Sequence, residues 1–142
     1  MRFLLDTDTC IFALKHNPGV LAQMQKLSPG DIAVSAMNEA ELRYGALNSQ
    51  NPARSLKEVE AFLVPIQVLP FDADASRDHA RLRLALKSKP IGERDLVVAS
   101  VAASHRLTVV THNVKEFGRV PGLKVTDWFV PLVPSPSNKG RK

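Results

Sequence analysis

Two carboxylates separated by one residue follow the first apolar run of the chain, in the stretch FLLDTDTC at positions 3–10. Two acids in this arrangement can serve three different purposes. Asp6 could be a nucleophile that accepts a phosphoryl group, with Asp8 as its acid–base partner. Asp6 could instead be a metal ligand whose fellow ligands lie far along the chain. It could also simply cap the following helix, with Asp8 in a first turn where the helix dipole favours an acid.

Other polar residues stand where apolar runs end or begin. Ser35 closes the run IAVS, and Thr111 and Asn113 follow the run LTVV. Asp95 opens the apolar segment that leads into LTVV. A plainer interpretation exists for two of them, because Asp95 could be a helix cap and Asn113 a turn residue.

Glu41 is harder to explain as an ordinary surface acid. It lies within two helical turns of Ser35 and borders the apolar side chains that we expect to form the buried face of its helix. An acid beside a buried face requires a partner or a metal ion. The expected face consists of Met37, Ala40, Tyr44 and Leu47.

The elements that would position these residues alternate along the chain. Short apolar strands are predicted at 2–5, 32–35, 66–71, 107–110 and, at an edge, 123–128. Helices are predicted at 7–15, 18–27, 36–47, 52–65, 72–87 and 95–105. Alternating strands and helices predict an α/β fold, with a mostly parallel sheet of four to five strands and helices on both faces. Active sites of such folds lie beyond the carboxyl ends of the strands.

This edge would collect three carboxylates and an amide: Asp6, Glu41, Asp95 and Asn113. No lysine or arginine is obviously placed to pair with them, so their mutual repulsion predicts a divalent cation. Oxygen ligands without cysteine or paired histidines favour Mg²⁺ or Mn²⁺ over Zn²⁺.

Composition narrows the class of protein. The chain has 142 residues, one cysteine and a net charge of +5, which suits one domain without disulfides. We expect that domain to span residues 1–130 and to be cytoplasmic, since no apolar run approaches the roughly 20 residues of a membrane span. Residues 131–142 are expected to form a disordered basic tail, which supplies three of the five net positive charges.

The opening DTDTC also approximates the first motif of the haloacid dehalogenase-like phosphatases, in which Asp6 would be the nucleophile. The details disagree with that family. Cys10 stands where threonine or valine is expected, and the spacing of Glu93 and Asp95 does not fit its fourth motif. That interpretation also leaves Glu41 without a role.

A different resemblance covers nearly the whole chain to Trp128. Five segments, in order, resemble the PIN-domain ribonucleases, specifically the VapC-type toxins of bacterial toxin–antitoxin pairs. They are FLLDTDTCIFALK, SPGDIAVSAMNEAELRYGA, PIGERDLVVASVAA, LTVVTHNVKEF and VPGLKVTDW.

The resemblance implies an acidic triad of Asp6, Glu41 and Asp95 that binds Mg²⁺ or Mn²⁺. Asn113 falls where the family has a fourth acid or an asparagine, and Thr111 matches a hydroxyl residue near the site. Asp8 departs from the pattern, because this subgroup usually has asparagine there. An ionised Asp8 cannot donate a hydrogen bond, so a catalytically silent PIN domain that only binds its partners is a rival interpretation.

The resemblance further implies cleavage of structured RNA, with tRNA and the anticodon loop of initiator tRNA as the specific candidate. A water would attack the phosphodiester in line, leaving 5′-phosphate and 3′-hydroxyl ends. The implied partners are a VapB antitoxin and a second copy of the chain, and the helices at 9–15 and 52–65 are candidates for those contacts. Six cations within 77–94 include the candidate RNA-binding residues Arg77, Arg81, Lys87, Lys89 and Arg94, although a solvated helix face explains them equally well.

Overall fold

The computed structural model describes residues 1–132 and has five strands and seven α-helices in that range. The strands are β1 (Phe3–Leu5), β2 (Ile32–Ser35), β3 (Gln67–Leu69), β4 (Thr108–Val110) and β5 (Val125–Thr126). The helices are α1 (Thr7–Leu14), α2 (Pro18–Gln25), α3 (Ala36–Leu47), α4 (Pro52–Leu63), α5 (Ala73–Ala85), α6 (Glu93–Ser104) and α7 (Val114–Phe117). The predicted tail at 131–142 lies outside the described residues, apart from Pro131 and Leu132, which belong to no helix or strand.

The five strands form one parallel sheet in the order β3-β2-β1-β4-β5. Phe3 of β1 stands in register with Ile32 of β2 on one side and with Thr108 of β4 on the other. The chain therefore turns from one half of the sheet to the other around β1, and the crevice at such a switch point is where ligands bind in open parallel sheets. The predicted α/β class is confirmed.

Neighbouring strand residues bury against different helical layers. Leu4 and Val109 belong to the apolar core shared with α5 and α6, whereas Leu5 and Val110 belong to the core shared with α1, α2, α3 and α4. All four side chains are fully buried. This two-sided burial explains why the strands read as continuous apolar runs without alternation.

The predicted buried face of α3 is wrong. Tyr44 is 67% exposed and Leu47 is 59% exposed. The buried residues of α3 are Asn38, Leu42 and Ala46. Both stripes follow helical spacing, and the true one was hidden because its first member is polar.

One helix boundary and one additional helix also differ from prediction. Helix α6 begins at Glu93, two residues before Asp95, and the four-residue α7 was not predicted. A helix of four residues is too short to show a 3.6-residue period.

The end of the described chain is tied to the beginning. Trp128 is buried, and its ring meets the edge of Phe3 at 5.1 Å between centroids. Asn17 donates to the carbonyl of Val130 at 2.9 Å and accepts from its N–H at 3.2 Å. None of the helices within residues 1–132 has the length and hydrophobicity needed to cross a membrane.

Candidate active site

Asp6 stands directly after β1, in the crevice between the carboxyl ends of β2 and β4. Its backbone N–H continues the sheet by donating to the Val110 carbonyl at 2.9 Å. Asp6 does stand at the N-cap position of α1, as the capping interpretation has it, but its side chain makes no capping hydrogen bond to that helix. The carboxylate, in a residue only 7% exposed, instead accepts from the Thr111 hydroxyl at 2.8 Å and from the Asn38 amide at 3.3 Å.

Asn38 links the end of β2 to the acids. Its side-chain oxygen accepts from the hydroxyl and the N–H of Ser35, at 2.7 and 2.9 Å. Its amide nitrogen donates to Asp6 and, at 3.1 Å, to the Thr7 hydroxyl. The Thr7 hydroxyl then donates to Oε1 of Glu41 at 2.7 Å. A continuous hydrogen-bonded chain therefore holds the carboxylates of Asp6 and Glu41 in fixed relation.

Asp8 joins α1 to the loop after β4. Its Oδ2 accepts from the backbone N–H of His112 at 3.1 Å and lies 3.4 Å from the Thr111 hydroxyl. That hydroxyl has one proton, which the shorter contact assigns to Asp6. Burial, and secondarily the charge of Asp8, raise the pKa of Asp6 to about 6. Asp8 thus adds negative charge beside an acid that already ionises with difficulty.

Asp95 shares its surroundings with Glu116. It is the third residue of α6, so it is not the helix cap, a position that Gly92 holds. Partial burial, then a hydrogen bond with Glu116, raise the pKa of Asp95 to about 7. The pKa of Glu116 is lowered, because it accepts from the Gly92 N–H at 2.7 Å and from the Asn113 amide at 2.8 Å. With a pKa of about 7, Asp95 is about half protonated at neutral pH, and that proton is shared with Glu116.

Glu41 borders an open hollow of about 450 Å³ beside Asp95. Nη1 of Arg94 lies 3.8 Å from Oε2 of Glu41, and the Arg94 side chain is 74% exposed. The expectation that no basic residue pairs with the acids is therefore wrong for Glu41. The pair is long and solvated, so it stabilises the fold little.

The donor set fits a hard divalent cation. The acids gathered here, Asp6, Glu41 and Asp95, offer the carboxylate oxygens that Mg²⁺ and Mn²⁺ prefer. Crowding and burial make the ionised forms of Asp6 and Asp95 costly, and a cation would offset that cost. In the described part of the chain no three acid, histidine or cysteine side chains are yet close enough to hold one ion together. Glu41 and Glu116 are instead held by Thr7 and Gly92.

The structure brings most of the sequence-predicted site residues to one edge, with different partners from those expected. Asn113 is exposed and donates to Glu116, so it positions that acid. Sequence reasoning missed Glu116, Thr7 and Asn38. Signals for two of them were available: Asn38 stands three residues after Ser35 in a capping-box pattern, and Glu116 stands three residues after Asn113.

The candidate RNA-binding cations divide into two groups. Arg77 and Arg81 form ion pairs with acids one turn earlier on α5, Asp74 and Asp78. The others follow α5 in sequence: Lys87 and Lys89 are exposed in the loop between α5 and α6, and Arg94 of α6 approaches Glu41.

Comparison with known proteins matches this architecture throughout. Residues 3–123 match the PIN domain family. The chain is 38% identical over 130 residues to the tRNA(fMet)-specific endonuclease VapC of Salmonella typhimurium, covering 90% of this chain and 98% of that protein. It is 33% identical over 132 residues to Ribonuclease VapC2 of Rickettsia felis, with the same coverages.

Solved structures agree. The VapBC2 complex of Rickettsia felis bound to a promoter DNA fragment has a chain that superposes with a TM-score of 0.84 at 32% identity, covering 90% of this chain and 99% of that one. The DNA-bound VapBC complex of Salmonella typhimurium gives 0.84 at 38% identity, covering 90% and 98%. The chain belongs to the PIN domain family and, within it, to the VapC group.

Proposed function

We propose that this chain is an endoribonuclease that depends on Mg²⁺ or Mn²⁺ and is the toxin of a type II toxin–antitoxin pair. The observation that carries the proposal is the buried carboxylate of Asp6 at the switch point of the sheet, with Glu41 and Asp95 near it and Glu116 beside Asp95. Structured RNA is the substrate, and similarity to proteins named tRNA(fMet)-specific endonuclease supports initiator tRNA as the first target to test. Cutting it would inhibit translation.

The site residues have different roles in the proposed reaction. Asp6 and Asp95 are the principal metal ligands, and Glu41 orients the attacking water or adds a ligand. Thr111 positions Asp6, as does Asn38, through hydrogen bonds to its two oxygens. When bound, a divalent cation would activate water for attack on the phosphodiester and stabilise the leaving oxygen.

Asn113 contributes indirectly, through Glu116. The hydrogen bond from its amide keeps that acid directed at Gly92 and Asp95. Neutral Asn113 brings no charge of its own, so its removal should weaken the site less than removal of an acid.

RNA requires cations around this acidic edge. Lys87, Lys89 and Arg94 are the first candidates, since all three are exposed and Arg94 lies beside Glu41. Arg77 and Arg81 are weaker candidates, because contact with phosphate would compete with their own ion pairs.

A VapB antitoxin is the proposed partner, and several structural neighbours are VapBC complexes. A hollow of about 310 Å³ between α1, α3 and α4 is suited to an apolar segment of that partner. It is lined by Ile11, Leu14 and Val59, and Glu41 lies on its border. A basic side chain of a segment bound there could reach Glu41. Homodimers and toxin–antitoxin hetero-oligomers are the expected assemblies.

Incubation of the purified protein with total tRNA tests the activity. We expect discrete fragments with Mg²⁺ or Mn²⁺, none with EDTA, and none from Asp6→Ala. Glu60→Ala, which removes an exposed acid of α4, is the matched control and should cut like wild type. Uncut tRNA with every metal would contradict the proposal.

Two alternatives give different outcomes. If Asp8 silences the site and the domain only binds partners, wild type will not cut and Asp8→Asn will. A phosphatase with Asp6 as nucleophile would hydrolyse a small phosphomonoester and form a phosphoenzyme, but the match of residues 3–123 to the PIN domain argues against it.

A further inference from the structure

A further hollow, of about 500 Å³, lies between the end of α5 and the beginning of α6. Its floor is apolar, formed by Leu86, Ile91, Leu96 and Val97. Its polar lining includes the cations Arg83 and Lys87 together with His79. The volume is within the range of about 300–1,000 Å³ that is usual for small-ligand sites.

This hollow adjoins the candidate active site. Glu93 lines both this hollow and the one that contains Asp95 and Glu41. A strand of nucleic acid whose scissile phosphate lay at Asp95 would therefore have its neighbouring nucleotide within reach of the α5–α6 hollow.

Charge favours a polyanion there. The carboxylates repel a phosphodiester, so flanking phosphates need cations close to the active site. Within residues 1–132, Arg83 and Lys87 form no ion pair, whereas Arg77 and Arg81 are each paired with an acid of α5. The two cations of the hollow are therefore available for phosphate without breaking an existing pair.

The floor suits an unpaired base. Proteins that recognise RNA loops commonly receive splayed-out bases against apolar, aromatic or histidine side chains. The His79 ring is fixed edge-on to Phe71, with 5.6 Å between centroids, and offers such a surface beside Val97 and Leu96.

We propose that the α5–α6 hollow binds an unpaired nucleotide of the RNA substrate, next to the cleavage site. The base lies on the apolar floor, and its phosphate is held by Arg83 and Lys87. This inference rests on the proposed ribonuclease activity and adds where, and in what form, the RNA is held.

The test compares two double variants that each lose one arginine and one lysine. Arg83→Gln/Lys87→Gln alters the proposed site. Arg106→Gln/Lys124→Gln alters a similar hollow at the amino ends of β4 and β5, where both cations are found. The probe is a fluorescein-labelled RNA hairpin with a seven-nucleotide loop. Anisotropy in EDTA over a series of NaCl concentrations gives its affinity, and tRNA cleavage with Mn²⁺ is measured in parallel.

Loss of the one phosphate contact made by these two cations should reduce the slope of log affinity against log salt by roughly 0.7, the value for each phosphate of a single strand. We expect this change only in Arg83→Gln/Lys87→Gln, together with at least a several-fold loss of tRNA cleavage. A third variant, Val97→Phe, fills the floor and should weaken binding without changing the salt slope.

Equal slopes for wild type and Arg83→Gln/Lys87→Gln, or an equal loss in the Arg106→Gln/Lys124→Gln control, would overturn the inference. If Arg83→Gln/Lys87→Gln changed the molar mass in light scattering and left the RNA affinity unaltered, the hollow would be a protein interface and the inference would be overturned. In both cases wild type would still cut tRNA with Mn²⁺, so the proposed function would stand. Wild type that neither binds nor cuts RNA would reject both.

Discussion

The charge of Asp8 acts on the buried carboxylate of Asp6. Its effect on the pKa of Asp6 is second only to that of burial. An asparagine at position 8 would keep an oxygen to accept from the His112 N–H and would remove the charge.

We therefore expect Asp8→Asn to lower the pKa of Asp6 below about 6. Unfolding of the metal-free protein at pH 7.5 should cost up to about 1 kcal/mol more, because a like-charge repulsion is removed. A carbon-detected NMR titration and urea unfolding measure the two effects. Asp74→Asn, which alters an exposed acid in the first turn of α5, is the control. An unchanged Asp6 titration would show that Asp8 does not perturb it.

Asn38 carries the largest buried polar network of the site, and it is fully buried. Asn38→Ala would leave the hydroxyl and N–H of Ser35 without their acceptor and Oδ1 of Asp6 without its amide donor. The expected loss of unfolding free energy is about 1–3 kcal/mol, the cost of orphaned buried polar groups. Urea denaturation checks this against Asn48→Ala at the exposed end of the same helix. A difference below about 0.5 kcal/mol between the two variants would contradict the assigned role.

At this scale the sequence was most informative where an acid follows a strand or opens a helix. Asp6 and Asp95 could be placed at the sheet edge because the fold class dictates where such residues lie. Glu41 was selected for its position on α3, although the apolar face used in that argument was wrong. Asn38 and Glu116 were missed because their importance depends on contacts with Asp6 and Gly92, distant in sequence.

Helices α6 and α7 meet through one carboxylate. Glu116 of α7 accepts from the N–H of Gly92 at the start of α6 and shares a hydrogen bond with Asp95. The proton held in that contact must leave when a cation binds, since metal ligands are deprotonated.

Binding of Mn²⁺ at pH 6.5 should therefore release protons, up to about one from this pair. Calorimetric titration in two buffers with different ionisation enthalpies measures the number. Glu116→Gln should release fewer, because the pKa of Asp95 falls when the Glu116 charge is removed. Equal release by both proteins would mean that the two acids do not share a proton.

Elements with a period or a clear apolar run were predictable, and the others were not. Strands β1, β2 and β4 are short apolar runs, and the sequence located them closely. The α7 turn has too few residues for any pattern. The stripe of α3 could not be chosen from periodicity alone, since its exposed and buried faces both carry apolar residues.

For the molecule as a whole, the acidic edge opposes folding at neutral pH. The pKa values of Asp6 and Asp95 are about 6 and 7 in the folded protein, against an ordinary value of 3.8. Between about pH 4 and 7 the folded state therefore binds more protons than the unfolded state, and the free energy of unfolding rises as pH falls through that window. Well above pH 7 both carboxyls are ionised in the folded protein, so their full destabilising effect is present.

Urea unfolding in EDTA at pH 8 and pH 5 compares metal-free wild type with Asp6→Asn/Asp95→Asn. From pH 8 to pH 5 the free energy of unfolding should rise more in wild type than in the variant. In that variant the contribution of the two carboxyls is absent, so the dependence on pH should be flatter. An equal change in unfolding free energy between the two pH values in both proteins would show that the surroundings do not raise the pKa of these acids.

These carboxylates are expected to form a divalent-cation site, and a Mn²⁺ titration followed by electron paramagnetic resonance measures whether they do. Free Mn²⁺ gives a strong signal that is lost on binding, so the titration counts bound ions. Wild type at pH 7.5 should bind Mn²⁺, whereas Asp6→Asn/Asp95→Asn should bind it at least tenfold more weakly. Equal binding by both proteins, or none by wild type, would contradict the account.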